Sequence, residues 1–453
     1  LFRSYCLVLT IFMLIVILLT LILIYILYKI YKKKKVHQFL LIYFAFSAFL
    51  WVIFPSIVSL IGDRYKQELV VKENVFITYA IYEFLFYIIL LLLLYRFPLC
   101  KPFYYGKYIP NTSSSIKRIW FVLSLFLIIN IIKQISSNVT YSEVNDSTIL
   151  AEQETNLFSI FSNFSICLYL TIILFYNKLY SKRIIFFSWL LLSLNIITVL
   201  AHGARMQVIF YLFVFVYYLF SSALNKKRFF LYMSFLIGII YLCSYILPAV
   251  AYIRSGGNFT VEDLRKSYEN YGEANAFVLQ LLIKSNSINT GAILVEETKE
   301  KPYLNPYINS IYSFCPSILF PGKRPLAGSS DGTIDGFPTR LAAEYISGDS
   351  RFFNVGISTS ATALWHGGIL FYVINLIIVF FWYRFLNSLM FYENYYAKLL
   401  VVYFTVLGYF ILPTADVLIR DLLKQPFFYA FFIFISRGGL IKDWVRSLKR
   451  HIA

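Results

Sequence analysis

The sequence predicts an all-α polytopic integral membrane protein with about eleven transmembrane helices and one long outer loop that contains short helices. Of its 453 residues, 59% are hydrophobic and only 14% are charged, whereas about a quarter of an ordinary soluble domain is charged. Apolar runs of roughly 20 residues recur along the chain, which is the length that a membrane-crossing helix needs. The runs are continuous rather than alternating, which excludes a transmembrane β-barrel.

Eleven segments are long and apolar enough to be considered as spans. Pro55 predicts a kink in the second span. The fourth ends near Lys133 and Gln134, which is compatible with a span because lysine side chains can extend to the interface. The last two segments are short. The predicted spans are 5–28, 38–61, 75–95, 119–135, 157–176, 184–200, 206–222, 229–252, 358–383, 399–412 and 426–436.

The net charge of +18 is distributed unevenly between the two predicted sides of the membrane. Alternate loops between the predicted spans hold 23 of the 41 lysine and arginine residues, with only Glu393 and Asp443 as acids. Positively charged loops face the cytoplasm, so we expect the N-terminus outside and the C-terminus inside. The charge is therefore a signal of topology rather than of nucleic-acid binding. The basic loops are 29–37, 96–118, 177–183, 223–228, 384–398 and 437–453.

Residues 252–352 form the only long polar segment and are expected on the outer face. The predicted organisation is eight spans in 1–251, the outer loop in 252–352, and three spans with a basic tail in 353–453. Short helices are expected at 261–271, 276–283 and 337–347, with a turn-rich loop at 321–336. The segment has 10 basic and 11 acidic residues, so it does not provide a strongly positive surface by itself.

Familiar cofactor and metal signatures are not apparent. The five cysteines are scattered and give no disulfide framework or metal-binding spacing. Walker, glycine-rich nucleotide and HExxH motifs are missing, as is an Asp-x-Asp pair. The loop from Asp331 to Gly336 does not fit the calcium-binding pattern and reads as a turn. We therefore expect neither a cofactor nor a metal ion.

Arginines at the predicted outer ends of spans are the candidate ligands for a phosphate group. Arg205 follows a tight turn between two spans, and Arg254 ends another span. Arg340 lies in the long outer segment and Arg420 in the last outer loop, which is predicted at 414–424. A guanidinium binds phosphate oxygens in a bidentate manner. The alternative is that these arginines pair with carboxylates or ordinary lipid headgroups.

Candidate acids and bases are expected on the same side of the membrane. His202, Asp335, Glu344 and His366 are the candidate catalytic residues, because histidine and carboxylate groups can accept a proton from a sugar hydroxyl. His366 precedes Gly367 and Gly368, so a structural histidine beside a close helix contact is the alternative. Glu83 falls inside the third span and needs a polar partner, which serves either structure or function.

Four short patches of the sequence are considered together: HGAR at 202–205, YIR at 252–254, Pro316 with PGK at 321–323, and GIS at 356–358 with HGG at 366–368. Together these patches resemble Wzy-type polymerases, which join O-antigen or capsule repeat units. The chain departs from the resemblance in one respect: related proteins often carry a glutamate between the serine and the glycine pair, whereas residues 360–363 have none. We therefore transfer no acidic role to that stretch.

The resemblance implies a metal-independent glycosyltransferase of the bacterial inner membrane. Its substrate would be an oligosaccharide on undecaprenyl pyrophosphate, and a chain-length regulator would be a partner. A hydroxyl of one lipid-linked unit would attack the anomeric carbon of another, and the lipid pyrophosphate would leave. Arg205, Arg254, Arg340 and Arg420 would stabilise the charge of the leaving group.

Three other classes of protein remain open. A lipid-linked oligosaccharide flippase or other transporter predicts charged groups within spans and broken helices. An O-antigen ligase uses the same kind of donor with a different acceptor. A membrane O-acyltransferase would need His366 as its intramembrane histidine.

The topology predicts that a tag placed after Ala453 lies in the cytoplasm. The tag should be protected from a membrane-impermeant label in intact cells and should become labelled once the membrane is permeabilised. A tag inserted between 326 and 332 provides the outer control. Labelling of the C-terminal tag in intact cells would contradict the charge-based orientation.

Overall fold

The computed structural model describes residues 2–56, 73–100, 112–136, 157–176, 180–201, 287–296, 358–406 and 415–437, and the single positions 217, 234, 262, 265 and 412. Over these residues the chain is α-helical with short connecting turns, and they contain no β-strand. The predicted all-α class is therefore confirmed for the part of the chain that is described.

The described helices are numbered here in chain order. They are α1 (Phe2–Lys33), α2 (Gln38–Ala48, continued by a π-helical turn at Phe49–Ile53), α3 (Glu73–Arg96), α4 (Ser113–Ser136), α5 (Leu157–Phe175), α6 (Lys182–Ala201), α7 (Ser287–Glu296), α8 (Thr359–Met390), α9 (Tyr395–Val406) and α10 (Ala415–Arg437).

Within the described ranges, five helical stretches are long and apolar enough to cross a membrane. Each falls on a predicted span and has the roughly 20 apolar residues that the hydrocarbon core requires. Of the predicted spans, 206–222 and 229–252 lie outside the described residues, except for single helical positions at Tyr217 and Ser234. The five stretches are Phe12–Lys33, Gln38–Ser56, Val75–Arg96, Ser113–Lys133 and Thr359–Met390.

The last helix differs from its prediction. Residues 414–424 were expected to form an outer loop containing Arg420, with a span beginning at Pro426. Instead, α10 begins at Ala415 and continues through Pro426, so Arg420 lies on a helix. Proline removes one backbone hydrogen bond, but membrane helices tolerate it where neighbouring groups compensate. Pro426 therefore does not mark the start of the helix.

The irregularity predicted at Pro55 takes the form of a wider helical turn. The π-helical turn at Phe49–Ile53 ends two residues before the proline, and the Phe54 amide donates to the Phe49 carbonyl. The Ser56 hydroxyl donates to the Val52 carbonyl at 2.7 Å. These bonds satisfy backbone groups near a residue that has no amide hydrogen of its own.

Asn387, near the end of α8, joins two of the loops that the charge count placed on one side. Its Oδ1 accepts from the His37 amide at 2.8 Å. Its Nδ2 donates to the Lys35 carbonyl at 3.1 Å and to the Pro98 carbonyl at 2.8 Å. One buried amide side chain thus satisfies backbone groups of two separate loops.

Other contacts bring further basic loops to the same end of the bundle. Arg384 Nε donates to the Leu99 carbonyl at 2.7 Å. Arg118 donates to the Ser436 carbonyl at 2.8 Å, and the Lys398 ammonium lies 5.6 Å from the centroid of the Phe175 ring. These loops therefore share one end, called the basic end below. Which side of the membrane it faces stays a prediction.

Three helices pack together toward the opposite end. The first half of α3 contacts the beginning of α8 and the short helix α7. The α7 residues Ile288 and Thr290–Leu294 are buried, although they belong to the segment that was predicted as an outer loop. The short helices predicted for this segment do not include α7. Its packing places part of the long segment directly against α3.

His37 makes the stability of the basic end depend on pH. Its Nδ1 caps α2 by accepting from the Phe39 amide at 3.2 Å. Burial, with a smaller effect from the Lys398 ammonium, lowers the pKa of His37 to about 4 from the ordinary 6.5. At a pH between these two pKa values, His37 therefore binds a proton more readily in the unfolded chain than in the folded one. The free energy of unfolding accordingly falls as the pH drops from 6.5 towards 4.

We expect this loss to reach about 3 kcal/mol. Replacing His37→Asn keeps a capping side chain and removes the titration, so the variant should lose less stability on acidification. The measurement is the thermal unfolding midpoint of detergent-solubilised protein between pH 4 and 7.5. Parallel pH profiles for the two proteins would show that His37 does not carry the effect.

Candidate functional site

Glu83 is a carboxylate buried within α3, a helix that is long and apolar enough to cross a membrane. It lies 13 residues from Arg96 and 10 from Glu73 on α3, or about 20 and 15 Å from the two helix ends. Its side chain is only 2% exposed. A carboxylate in such a place is costly unless hydrogen bonds satisfy it, so its neighbours define the site.

Three hydroxyl groups converge on one oxygen of this carboxylate. Glu83 Oε2 accepts from the Tyr79 hydroxyl at 2.8 Å and from the Ser358 hydroxyl at 2.8 Å. The Ser360 hydroxyl donates to the same oxygen. Tyr79 is one helical turn from Glu83, whereas both serines come from the beginning of α8. We call these four residues the Glu83 cluster.

Ser358 has a second role as the N-cap of α8. Its backbone is extended, with φ −79° and ψ 161°, and its Oγ accepts from the Ala361 amide at 3.3 Å. The amide groups at a helix N-terminus create a partial positive charge that favours a nearby anion. The start of α8 is thus electrostatically suited to the carboxylate of Glu83.

Helix α8 is interrupted at Gly367 and Gly368. Gly368 adopts φ 66° and ψ −153°, a region that is open to glycine and strained for other residues. Gly367 is also non-helical, with φ 179° and ψ 35°, and a Cβ atom there would lie 2.3 Å from the Phe371 ring. The two glycines therefore permit a break that divides α8 into a short helix, Thr359–His366, and a long helix of 22 residues.

Contacts with α3 show that the short helix does not continue the long one. The Tyr372 hydroxyl donates to the Tyr82 carbonyl at 2.8 Å, while Ser358 reaches the adjacent Glu83. A straight helix would place Ser358 about 21 Å beyond Tyr372 along its axis. The chain therefore bends sharply at the glycine pair, and the bend returns Ser358 towards the depth of Tyr372.

The short helix is enclosed by protein. Every residue from Ser358 to His366 is buried, whereas Ile369 and Leu370, just after the break, are 61% and 65% exposed. A helix that carries serine and threonine hydroxyls is stable at this depth only when neighbouring groups satisfy them. The Thr362 hydroxyl, for example, donates to the Ser358 carbonyl at 3.1 Å.

Helix α7 covers the other side of Tyr79. A Cβ atom built on Gly291 would lie 2.2 Å from the Tyr79 ring, so only glycine allows this approach. The Tyr79 ring is fully buried, which fixes the direction of its hydroxyl towards Glu83. Part of the long segment thereby contributes to the environment of the carboxylate.

His366 is the predicted catalytic residue whose side chain the structure describes. It is 1% exposed and lies at the end of the short helix, with its ring 5.5 Å from the Trp365 ring. Eight residues of helix separate it from Ser358, or about 12 Å. His366 is therefore outside the Glu83 cluster, and its position beside the glycine break also fits the structural alternative.

The side chains of the other predicted site residues lie outside the described part of the chain. Arg420 lies on α10, but its side chain is outside the described residues, as are the remaining candidates. The roles assigned to these residues therefore remain predictions. They are His202, Arg205, Arg254, Asp335, Arg340 and Glu344.

The sequence pattern indicated Glu83 but not its partners. Two signals were present: Tyr79 is at i−4 on the same helix, and hydroxyl residues are concentrated at 358–362. No acidic role was predicted for 360–363, because that stretch contains no glutamate. The structure brings the Glu83 carboxylate to that stretch from α3.

Chemically, the cluster is a proton acceptor surrounded by proton donors. A carboxylate that accepts three protein hydroxyls can accept a hydroxyl of a substrate by exchanging one of them. Over the described ranges, no group of three histidine, cysteine or acidic residues is arranged to hold a metal ion.

Comparison of the chain with protein-family models, with curated proteins and with solved structures finds no match. The functional interpretation therefore depends on the residues of this chain alone.

The Glu83 cluster predicts a measurable coupling between Tyr79 and Glu83. Tyr79→Phe should lower stability by about 1 kcal/mol and Glu83→Gln by a comparable or larger amount. The double variant should lose less than the sum, because each change already breaks their shared bond. Thermal unfolding in detergent measures this cycle.

Tyr43→Phe is the matched control, since Tyr43 is fully buried and bonds the Tyr383 hydroxyl at 2.9 Å. Its effect should add to that of Glu83→Gln. If the stability losses add equally well in the Tyr79/Glu83 and Tyr43/Glu83 double variants, Tyr79 and Glu83 are not energetically coupled.

Proposed function

We propose that the chain is a polymerase of the bacterial inner membrane that joins oligosaccharide repeat units carried on polyprenyl pyrophosphate. In this proposal eleven helices cross the membrane, the C-terminus is cytoplasmic, and residues 252–352 lie on the outer face. The product is O-antigen or capsular polysaccharide. The proposal rests on the topology, on the four short patches of resemblance, and on the Glu83 cluster.

The observation that carries the proposal is the contact of Glu83 with Ser358 and Ser360. These serines belong to the stretch that resembles the polymerases, where related proteins often carry a glutamate and this chain has none. A carboxylate nevertheless lies at that stretch, with Oε2 2.8 Å from the Ser358 hydroxyl. The contact thus supports an acidic group in the same place, supplied by a different helix.

The proposed reaction needs two kinds of group. Arg205, Arg254, Arg340 and Arg420 hold the pyrophosphate, and their positive charge stabilises the leaving group as the bond from anomeric carbon to phosphate oxygen breaks. A base accepts the proton of the attacking hydroxyl as its oxygen bonds to the anomeric carbon. We add Glu83 to His202, Asp335, Glu344 and His366 as candidates for this base.

A transporter of lipid-linked oligosaccharides is the second candidate. The break at Gly367–Gly368 and the buried Glu83 favour it, because broken helices and buried polar groups are typical of secondary transporters. The two candidates differ in what accumulates without the protein. Loss of a polymerase leaves single repeat units on the outer face, whereas loss of a flippase leaves no such glycan there.

We expect cells that lack the gene to display lipid-anchored single units and no long chains. Expression of the unaltered chain should restore the ladder of chain lengths, whereas Arg205→Ala should not, because the pyrophosphate loses a bidentate ligand. Arg183→Ala is the control, since Arg183 is exposed at the basic end. Gel analysis of surface glycan and a membrane-insertion assay measure both properties.

A normal ladder with Arg205→Ala would contradict the role of that arginine. Complete absence of surface glycan in the deletion strain would instead favour the transporter.

A further inference from the structure

Helix α1 lies at the edge of the described bundle. Side chains along one face are more than half exposed, among them Leu14, Leu18, Leu21, Tyr25 and Tyr28. In a membrane-crossing helix such an apolar face contacts lipid tails. The span Phe12–Lys33 is about 33 Å long, so the lysines at its end lie at the level of the lipid headgroups.

Five exposed lysines are concentrated at this end of α1, at positions 29 and 32–35. The Lys33 and Lys35 ammonium groups lie 4.6 and 5.9 Å from the centroid of the Tyr95 ring. The Lys29 ammonium lies 5.0 Å from the Tyr25 ring. Aromatic rings attract these cations but do not neutralise them. The mutual repulsion of the lysines would be relieved by an anion.

Lys34 keeps these lysines together through an unusual backbone conformation. It has φ 50° and its amide donates to the Tyr31 carbonyl at 3.2 Å. This left-handed position after a helix usually holds glycine, yet the chain has lysine there. The resulting turn brings Lys35 to the same tyrosine ring as Lys33, which precedes the turn.

We propose that Lys29, Lys33 and Lys35, with the rings of Tyr25 and Tyr95, bind the phosphate of an anionic phospholipid. The ammonium groups supply charge and hydrogen-bond donors to the phosphate oxygens. Tyrosine rings are favourable at the headgroup level. The occupant is a lipid rather than a free phosphate, because the apolar face of α1 continues from the lysines and provides a surface for the acyl chains.

The test compares lipid binding by two variants with equal charge. The first carries Lys29→Gln, Lys33→Gln and Lys35→Gln. The matched control carries Lys117→Gln, Lys182→Gln and Arg183→Gln, which remove three exposed charges on α4 and α6 at the same end of the bundle. Native mass spectrometry of the full chain in detergent measures binding of dioleoyl phosphatidylglycerol, dioleoyl phosphatidylcholine and glycerol phosphate.

We expect the unaltered chain and the control to prefer phosphatidylglycerol. The first variant should bind that lipid on the order of 100-fold more weakly, since each lysine near the surface contributes roughly fivefold. Binding of phosphatidylcholine should stay unchanged, which also shows that the variant is folded. Equal losses in both variants, no preference for phosphatidylglycerol, or equally tight binding of glycerol phosphate would each overturn the proposal.

Discussion

The need of one buried carboxylate for hydrogen-bond donors determines the arrangement at one end of this protein. Glu83 lies within an apolar helix, where an unsatisfied charge is costly. A single turn of α3 supplies only Tyr79, so the remaining donors must come from another element. Ser358 and Ser360 supply them, which requires the beginning of α8 to reach the depth of Glu83.

The other features of that end follow from this requirement. The long part of α8 has the length of a complete span, so its first eight residues reach Glu83 only through a bend. Gly367 and Gly368 provide the bend, because Gly368 adopts a conformation that side chains disfavour. The bend in turn buries serine and threonine hydroxyls, whose hydrogen-bond partners must come from their own helix and from α3. Helix α7 fits against Tyr79 only because Gly291 has no side chain.

Local patterns in the sequence predicted the helices well and their partners poorly. Continuous apolar runs predicted the described spans, and the alternation of charge agrees with the contacts of Asn387 and Arg384 that join basic loops. Pro426 was misread because the effect of proline depends on neighbours that are distant in sequence. The contact of Glu83 with Ser358 joins residues 275 positions apart. Without related sequences, single-chain periodicity contains no information about that pairing.

The geometry of the Glu83 cluster also limits how the carboxylate could act on a substrate. Any hydroxyl that approaches Oε2 must replace one of the three hydroxyls already bound. Tyr79 is held by its contact with Gly291, and Ser358 also caps α8, so moving either would disturb a second interaction. Within the described part of the chain, the Ser360 hydroxyl makes its hydrogen bonds to Tyr79, Ser358 and Glu83, all members of the cluster. Rotation of Ser360 is therefore the least costly way to expose Oε2, which makes this serine the natural point of exchange between protein and substrate hydroxyls.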